Sequence, residues 1–392
     1  MPSHFKLSRV VGESTRGLRL RSMGLSVLAA FAIAAFADGA AAQAPSCNVS
    51  PTPDCLYFPA TEYAIGTEPP EVLRETVYKD AGGMLRRVKM ALRIPKDAPL
   101  PLPVVIWSHG GAEGKVEPDG VLVEWSRATA RAGYLTVTIA HPPRARPSRE
   151  LLCAAEPLLI DPVSCEQFKH LHWDRPHDIG AVLNELERMS AMDEFRGLMD
   201  LAHIAVAGHS SGSSGALSVG GALRKFTGQV LDMSDPRPVA FLAFSPQGPG
   251  SEGFFDTDFK HPEHSWRNID RPVLVGTGDG DSTCNPLPEP GSCFGDSPFI
   301  RRIGYERMPS GGKYQVYLQD PEIFHTLFEL RTSKCSEKGV TQSKCDETAR
   351  WLTSSALAFL DAHLRGNGSA AAWLASDNLV DASQGVARWL RK

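Results

Sequence analysis

The sequence predicts an α/β fold with a mostly parallel central sheet and helices on both faces. Short, continuously apolar segments recur along the chain, each followed by a glycine-rich or polar loop and then by helical periodicity. Strands that are apolar on both sides belong in a sheet covered on both sides. No internal repeat, long linker or second composition regime interrupts the series, so residues 45–392 read as a single domain.

The elements follow in order. ETVYKD and LRRVKMALRIP flank a turn at Gly82-Gly83 and read as early strands. PVVIWSHGG, Pro103 to Gly111, is an apolar strand that runs into a glycine loop, followed by the helix-like GVLVEWSRATARAG with Gly133 at its end. YLTVTIAH is the next strand. A long loop carrying Cys153 and Cys165 leads to RPHDIGAVLNELERM, whose Ile179, Val182, Leu183 and Leu186 share one helical face. HIAVAGHS, VAFLAFSP, PVLVGTGDGD and YQVYLQD complete the strands, and ARWLTSSALAFLDAHLRG is an amphipathic helix that would close one face.

Composition narrows the function classes. With 42% hydrophobic and 22% charged residues the chain is an ordinary globular protein, and a net charge of −4 with no basic block beyond the extreme N-terminus argues against a nucleic-acid partner. That N-terminus reads as an export signal: Lys6, Arg9, Arg16, Arg19 and Arg21 precede the apolar run Met23 to Ala37, and Ala42-Gln43-Ala44 is an AxA-type cleavage site. The run falls short of the about 20 residues a bilayer-spanning helix needs. Residues 1–44 are therefore expected to be removed, with no stable membrane anchor left afterwards; Met23 is an alternative start.

The eight cysteines lie as close neighbours. Their spacing predicts four local disulfides, Cys47-Cys55, Cys153-Cys165, Cys284-Cys293 and Cys335-Cys345, in an oxidising periplasmic or extracellular setting. CxxC-type spacing for a metal is absent.

Chemistry concentrates where ligands gather in parallel sheets, at the C-terminal ends of strands. VAGHSSGSSG, just past the apolar HIAVA, places Ser210 within GHSSG, the GxSxG pattern of a nucleophile held on a tight strand-to-helix turn, with Gly208 and Gly212 relieving its crowding. PVLVGTGDGD then supplies Asp279 and Asp281, and DPEIFHTLF supplies His325. Serine, acid and histidine in that order, each after its own strand, make a catalytic triad. An oxyanion needs two backbone donors; the His109-Gly110-Gly111 loop would provide one and the Ser211 amide the other.

At this point the residues carry a resemblance. SHGG, RPHDI with VLNEL, GHSSG, SPQGPG, PVLVGTGD and the late FH resemble the alpha/beta-hydrolase superfamily, from about Val104 to Leu364. Within it the chain is similar to exported dienelactone-hydrolase-like proteins, a group related to platelet-activating-factor acetylhydrolases. The resemblance implies Ser210 as nucleophile, His325 as base, Asp279 as acid in the GTxD turn, and Gly111 and Ser211 as oxyanion donors. It implies hydrolysis of a small-molecule or lipid-like ester with no metal or organic cofactor. True dienelactone hydrolases use a cysteine nucleophile, so the serine here departs from that specific activity.

Two rival readings remain at this stage: an amidase or peptidase on the same triad, and a non-catalytic binding protein on a hydrolase scaffold. His170, His172 and His177 with Asp174 and Asp178 form a tempting metal cluster without recognised ligand spacing. Arg175 and Asp178 are expected instead to pair and cap the following helix. His209 is expected to pack beside the elbow, and His261 and His264 near Trp266 are candidates to line the pocket.

Overall fold

Nine strands make one sheet in the computed structural model: β1 Val72–Lys79, β2 Leu85–Arg93, β3 Leu102–Ser108, β4 Leu135–Ala140, β5 Met199–His209, β6 Pro238–Phe244, β7 Val273–Gly278, β8 Lys313–Leu318 and β9 Ala387–Arg391. The structure describes residues 47, 54–66, 72–111, 114, 116–155, 170–226, 229–250, 254–256, 263–283, 285–286, 293–294 and 296–392. All of these lie in one compact unit, residues 45–392. The export signal expected over 1–44 lies outside the described residues.

The spatial order is β1-β2-β4-β3-β5-β6-β7-β8-β9. From β4 to β8 every neighbouring pair is parallel, while β1, β2 and β9 join antiparallel at the two edges. The central strands are buried throughout because both faces are covered: β3 (LPVVIWS), β4 (LTVTIA) and β7 (VLVGTG) are buried at every position. Alternate residues feed separate cores. Val105 and Trp107 of β3 join Trp125, Phe244 and the helices α1 Val123–Arg131 and α6 Gln342–Leu364 on one side. Val104 and Ile106 join Ile179, Leu183, Leu217 and Ile303 on the other, under α3 His170–Ser190, α4 Ser211–Val219 and α5 Pro298–Arg307. The short helix α2 Arg146–Ala155 lies between β4 and α3 in sequence.

Three features depart from the sequence reading. The strand series does not stop at YQVYLQD: α7 Gly368–Ala375 and α8 Asn378–Ala382 lead into β9, which pairs with β8 from Tyr314↔Arg391 to Leu318↔Ala387. The helix containing RPHDI begins earlier, at His170, and carries Pro176 inside it. Arg175 and Asp178 therefore stand within α3 rather than at its cap, and they do not pair with each other: Asp178 is met by Arg86 at 2.8 Å, whereas Arg175 turns toward the HGG loop.

Cys47 is joined to Cys55 and Cys335 to Cys345, as the spacing suggested. The second pair ties the start of α6 to the segment just after His325. Cys153 is disulfide-bonded, but Cys165 and Cys284 lie outside the described residues, so neither of the other two pairings is described. Among the described residues no helix is long and apolar enough to cross a membrane.

Candidate active site

β5 passes into α4 through Ser210, whose φ of 52° and ψ of −127° lie outside the regions that L-residues normally occupy. The turn closes because its inner neighbours lack side chains. A Cβ on Gly208 would stand 2.3 Å from the Gly212 carbonyl carbon, and one on Gly212 would stand 2.0 Å from the Ser108 carbonyl oxygen. Backbone surrounds both positions, so neither clash could relax. SGSSGALSV has weak helix propensity, yet it is helical because tertiary packing demands it: residues 212–219 are all buried, and only Ser210 and Ser211 at the start are partly open.

The acid beside His325 is Asp281. His325 Nδ1 lies 2.7 Å from Asp281 Oδ1, and Thr277 Oγ1 donates to Asp281 Oδ2 at 2.8 Å. This corrects the expectation of Asp279. The Asp279 amide prolongs the β7–β8 ladder by donating to the Leu318 carbonyl at 2.9 Å, which leaves its exposed side chain to accept from Tyr317 Oη. The chain then turns at Gly280, where a Cβ would meet the Pro321 and Ile323 carbonyl oxygens at 2.4 and 2.6 Å. That close approach to the His325 loop carries Asp281 inward, to 0% exposure.

Arg301 of α5 secures the acid from behind. Fully buried, it donates to the carbonyls of Asp281, Ser245 and Pro246 and stands 3.4 Å from Asp281 Oδ1. Burial alone would raise the Asp281 carboxyl, but Arg301 and the hydrogen bonds from His325 and Thr277 outweigh it and hold the group below the ordinary carboxylate range. Burial lowers His325, and the neighbouring His209 lowers it further against the pull of Asp281. The pair is thus a neutral imidazole beside an ionised carboxylate at neutral pH.

The HGG loop lies directly over the elbow, since a Cβ on Gly110 would come within 2.8 Å of Ser210 Cβ. Three contacts set its peptide planes. His109 Nδ1 donates to the Gly110 carbonyl at 2.8 Å, and Arg175 donates to the carbonyls of His109 and Gly111. Because a trans peptide points its N–H opposite its carbonyl, anchoring Gly110 O turns the Gly111 amide the other way. Gly111 has φ +72°, is exposed, and has open space where a Cβ would lie.

Behind this loop is a second line of serine, histidine and aspartate. Ser108 Oγ is 2.8 Å from His141 Nε2, and His141 Nδ1 is 3.0 Å from Asp178 Oδ2. All three are buried, and Arg86, Arg144, Asp80, Asp174 and Tyr78 continue the network. The His141 amide donates to His109 Nε2 at 3.3 Å, so the network braces the strand end that carries the loop. Burial, with nearby positive charge, pushes His109 down to about 3 and His141 down to about 4. Asp174 and Asp178, offered by the sequence as metal ligands, are committed to these arginines. His170 has no described side chain, and His177 Nδ1 faces the Trp173 carbonyl at 2.7 Å.

Gln247, in the SPQGPG segment after β6, is a site residue that the sequence reading quoted but gave no role. Its donors and acceptors are satisfied with the amide nitrogen toward Ser214 Oγ and the Ser210 carbonyl, the latter at 2.8 Å. The side-chain oxygen then lies 3.2 Å from both the Ser211 N–H and Ser210 Oγ. Arg175, Arg301 and Glu329, whose Oε1 stands 2.9 Å from His209 Nδ1, were missed as well, and no local spacing marks them. Of the proposed pocket residues, His261 lies outside the described residues, His264 bridges to Asp256, and Trp266 is core packed on Phe254.

Ser210, Ser211, Gly111 and His325 therefore gather with Asp281, not Asp279, at the C-terminal ends of β3, β5, β7 and β8. Neither a family model nor a curated protein matches the sequence.

Proposed function

We propose that the chain is a serine hydrolase of the alpha/beta-hydrolase fold that cleaves carboxylic esters, with Ser210 as nucleophile, His325 as base and Asp281 as the orienting acid. The observation that carries this reading is the strained Ser210 turn, whose preceding His209 ring lies 4.6 Å from the ring of the partly buried His325, itself 2.7 Å from the fully buried Asp281. A buried carboxylate at Nδ1 keeps the proton there and leaves Nε2 as the base. Asp279 is not part of this reading.

In the reaction, Ser210 Oγ bonds to the ester carbon while His325 Nε2 takes its proton and the carbonyl π electrons move to oxygen. The Gly111 and Ser211 amides receive that oxyanion. The Ser211 N–H faces the Gln247 side-chain oxygen at 3.2 Å, so a substrate oxygen that takes this donor displaces that contact. Collapse expels the alcohol with the proton returned from His325. Water then repeats the attack on the acyl-enzyme and frees the acid and Ser210. The paired cysteines suit an oxidising compartment, and periplasmic or secreted placement belongs to the same proposal.

The test is hydrolysis of p-nitrophenyl esters of graded acyl length, with matched amides, by the wild-type protein and Ser210→Ala. Ester turnover that disappears in the variant is the expected result. Turnover of amides at rates comparable to esters would favour a peptidase or amidase, and activity retained by Ser210→Ala would overturn the assignment.

A further inference from the structure

Three serines of the elbow meet one side chain. Gln247 is buried, and its carboxamide touches Ser210, Ser211 and Ser214 together. Two backbone groups decide which way it faces. The Ser211 N–H can only donate and the Ser210 carbonyl can only accept, so the side-chain oxygen stands 3.2 Å from Ser211 N and the side-chain nitrogen 2.8 Å from the Ser210 carbonyl oxygen. The same side-chain oxygen lies 3.2 Å from Ser210 Oγ. Among the described residues, the Ser210 hydroxyl makes its hydrogen bond here rather than at His325 Nε2. The backbone that carries Gln247 is pinned on both sides. Ser245, at φ 51°, turns the chain out of β6, and Arg301 donates to the carbonyls of Ser245 and Pro246. On the other side a Cβ on Gly248 would stand 2.3 Å from the Ile300 carbonyl oxygen. Movement at this place is therefore left to the Gln247 side-chain torsions.

We infer that Gln247 is the resting occupant of the oxyanion site: its side-chain carbonyl stands in for the ester carbonyl, and a substrate must displace it to react. A carbonyl oxygen 3.2 Å from both the nucleophile and the Ser211 donor holds the place that a bound ester oxygen needs. Displacement does two things at once. It frees the Ser211 N–H for the incoming oxygen, and it removes the acceptor of the Ser210 hydroxyl, which then turns to His325 Nε2. The nucleophile is thus handed to its base when a carbonyl arrives. Gln247 undergoes no covalent change; by competing for one donor it sets how tightly the substrate is held.

This inference rests on the triad proposed above, and its test separates the two. Gln247→Met keeps the length of the side chain and loses the carbonyl. The KM for p-nitrophenyl esters should fall, and so should the Ki of an alkyl trifluoromethyl ketone, to which Ser210 adds to give an oxyanion in the same place. Both should drop about five- to tenfold, the worth of one hydrogen bond, with kcat within about twofold. An unchanged KM and Ki, or a loss of kcat alone, would overturn the proposal and leave Gln247 as a support of the turn. If the variant does not fold, the wild-type protein decides by NMR. The Gln247 side-chain N–H pair, bound to Ser214 Oγ and the Ser210 carbonyl, should exchange slowly in the free protein. After fluorophosphonate labelling of Ser210 its signals should shift and exchange faster, as the phosphoryl oxygen takes the Ser211 N–H; signals indifferent to labelling would overturn the proposal. Ester turnover and labelling absent from both wild type and Gln247→Met, with both folded, would count against the triad and remove the proposal with it. An active wild type that Gln247→Met does not improve would count against Gln247 alone.

Discussion

The choice between two aspartates two residues apart can be turned into a decisive perturbation. Asp281→Asn is nearly isosteric, and the buried amide would present either an N–H or a neutral oxygen to His325 Nδ1 at the 2.7 Å contact. With the N–H in place, the imidazole is forced into the tautomer that puts its proton on Nε2 and cannot accept from Ser210. In serine proteases the same change costs about 10⁴ in kcat with the geometry intact, equivalent to about 5 kcal/mol of transition-state stabilisation. Arg301 keeps its bonds to three backbone carbonyls, so the fold should survive. Asp279→Asn changes an exposed side chain bonded to Tyr317 and should leave kcat/KM within about threefold, as surface substitutions usually do. The assay is p-nitrophenyl ester hydrolysis by wild type and both variants, with thermal unfolding to confirm folding. Loss of activity in Asp279→Asn with Asp281→Asn still active would refute the reasoning.

Three further outcomes follow from the same structure. Gly212→Ala would drive a Cβ to 2.0 Å from the Ser108 carbonyl oxygen, and it should either fail to fold or lose more than about 3 kcal/mol of stability in denaturant titration, whereas a near-native midpoint would contradict the elbow geometry. Replacing Cys335 and Cys345 together by alanine should cost about 2 to 3 kcal/mol through the small loop they close, read as a lowered unfolding midpoint. His109 and His141 are depressed to about 3 and about 4 from an ordinary 6.5, so the unfolded chain takes up their protons first as pH falls. Their contribution is whole above pH 6.5 and is lost as pH drops through 4 toward 3; a Tm that stays level from pH 7 to 4 would count against it.

What could be seen in the sequence was local. The covered strands announce themselves because PVVIW and VAFLAF are apolar without alternation and YLTVTIA is rich in β-branched residues, and the elbow because Gly208 and Gly212 bracket Ser210 immediately after such a strand. The edge strand β9 was invisible: ARWLR is short and alternates buried with exposed residues, so its apolar content resembles any surface segment. The beginning of α3 was missed because HLHWDRPHD lacks helical periodicity and contains Pro176. Asp281 could not be distinguished from Asp279 because the choice depends on Gly280 meeting the Pro321 and Ile323 carbonyls, a contact made across about forty residues of chain. Arg175, Arg301 and Glu329 act on the site only through such long-range approaches, and their neighbours in sequence say nothing of them.

The central claim is that Ser210 is an activated nucleophile, and covalent labelling tests it without knowledge of the natural substrate. The oxidised protein is treated with a fluorophosphonate and the modified peptide is identified by mass spectrometry. The account predicts one label per chain, on Ser210, absent in Ser210→Ala and much slower to form in Asp281→Asn. A folded protein that takes no label, or takes it on another serine, would contradict the account.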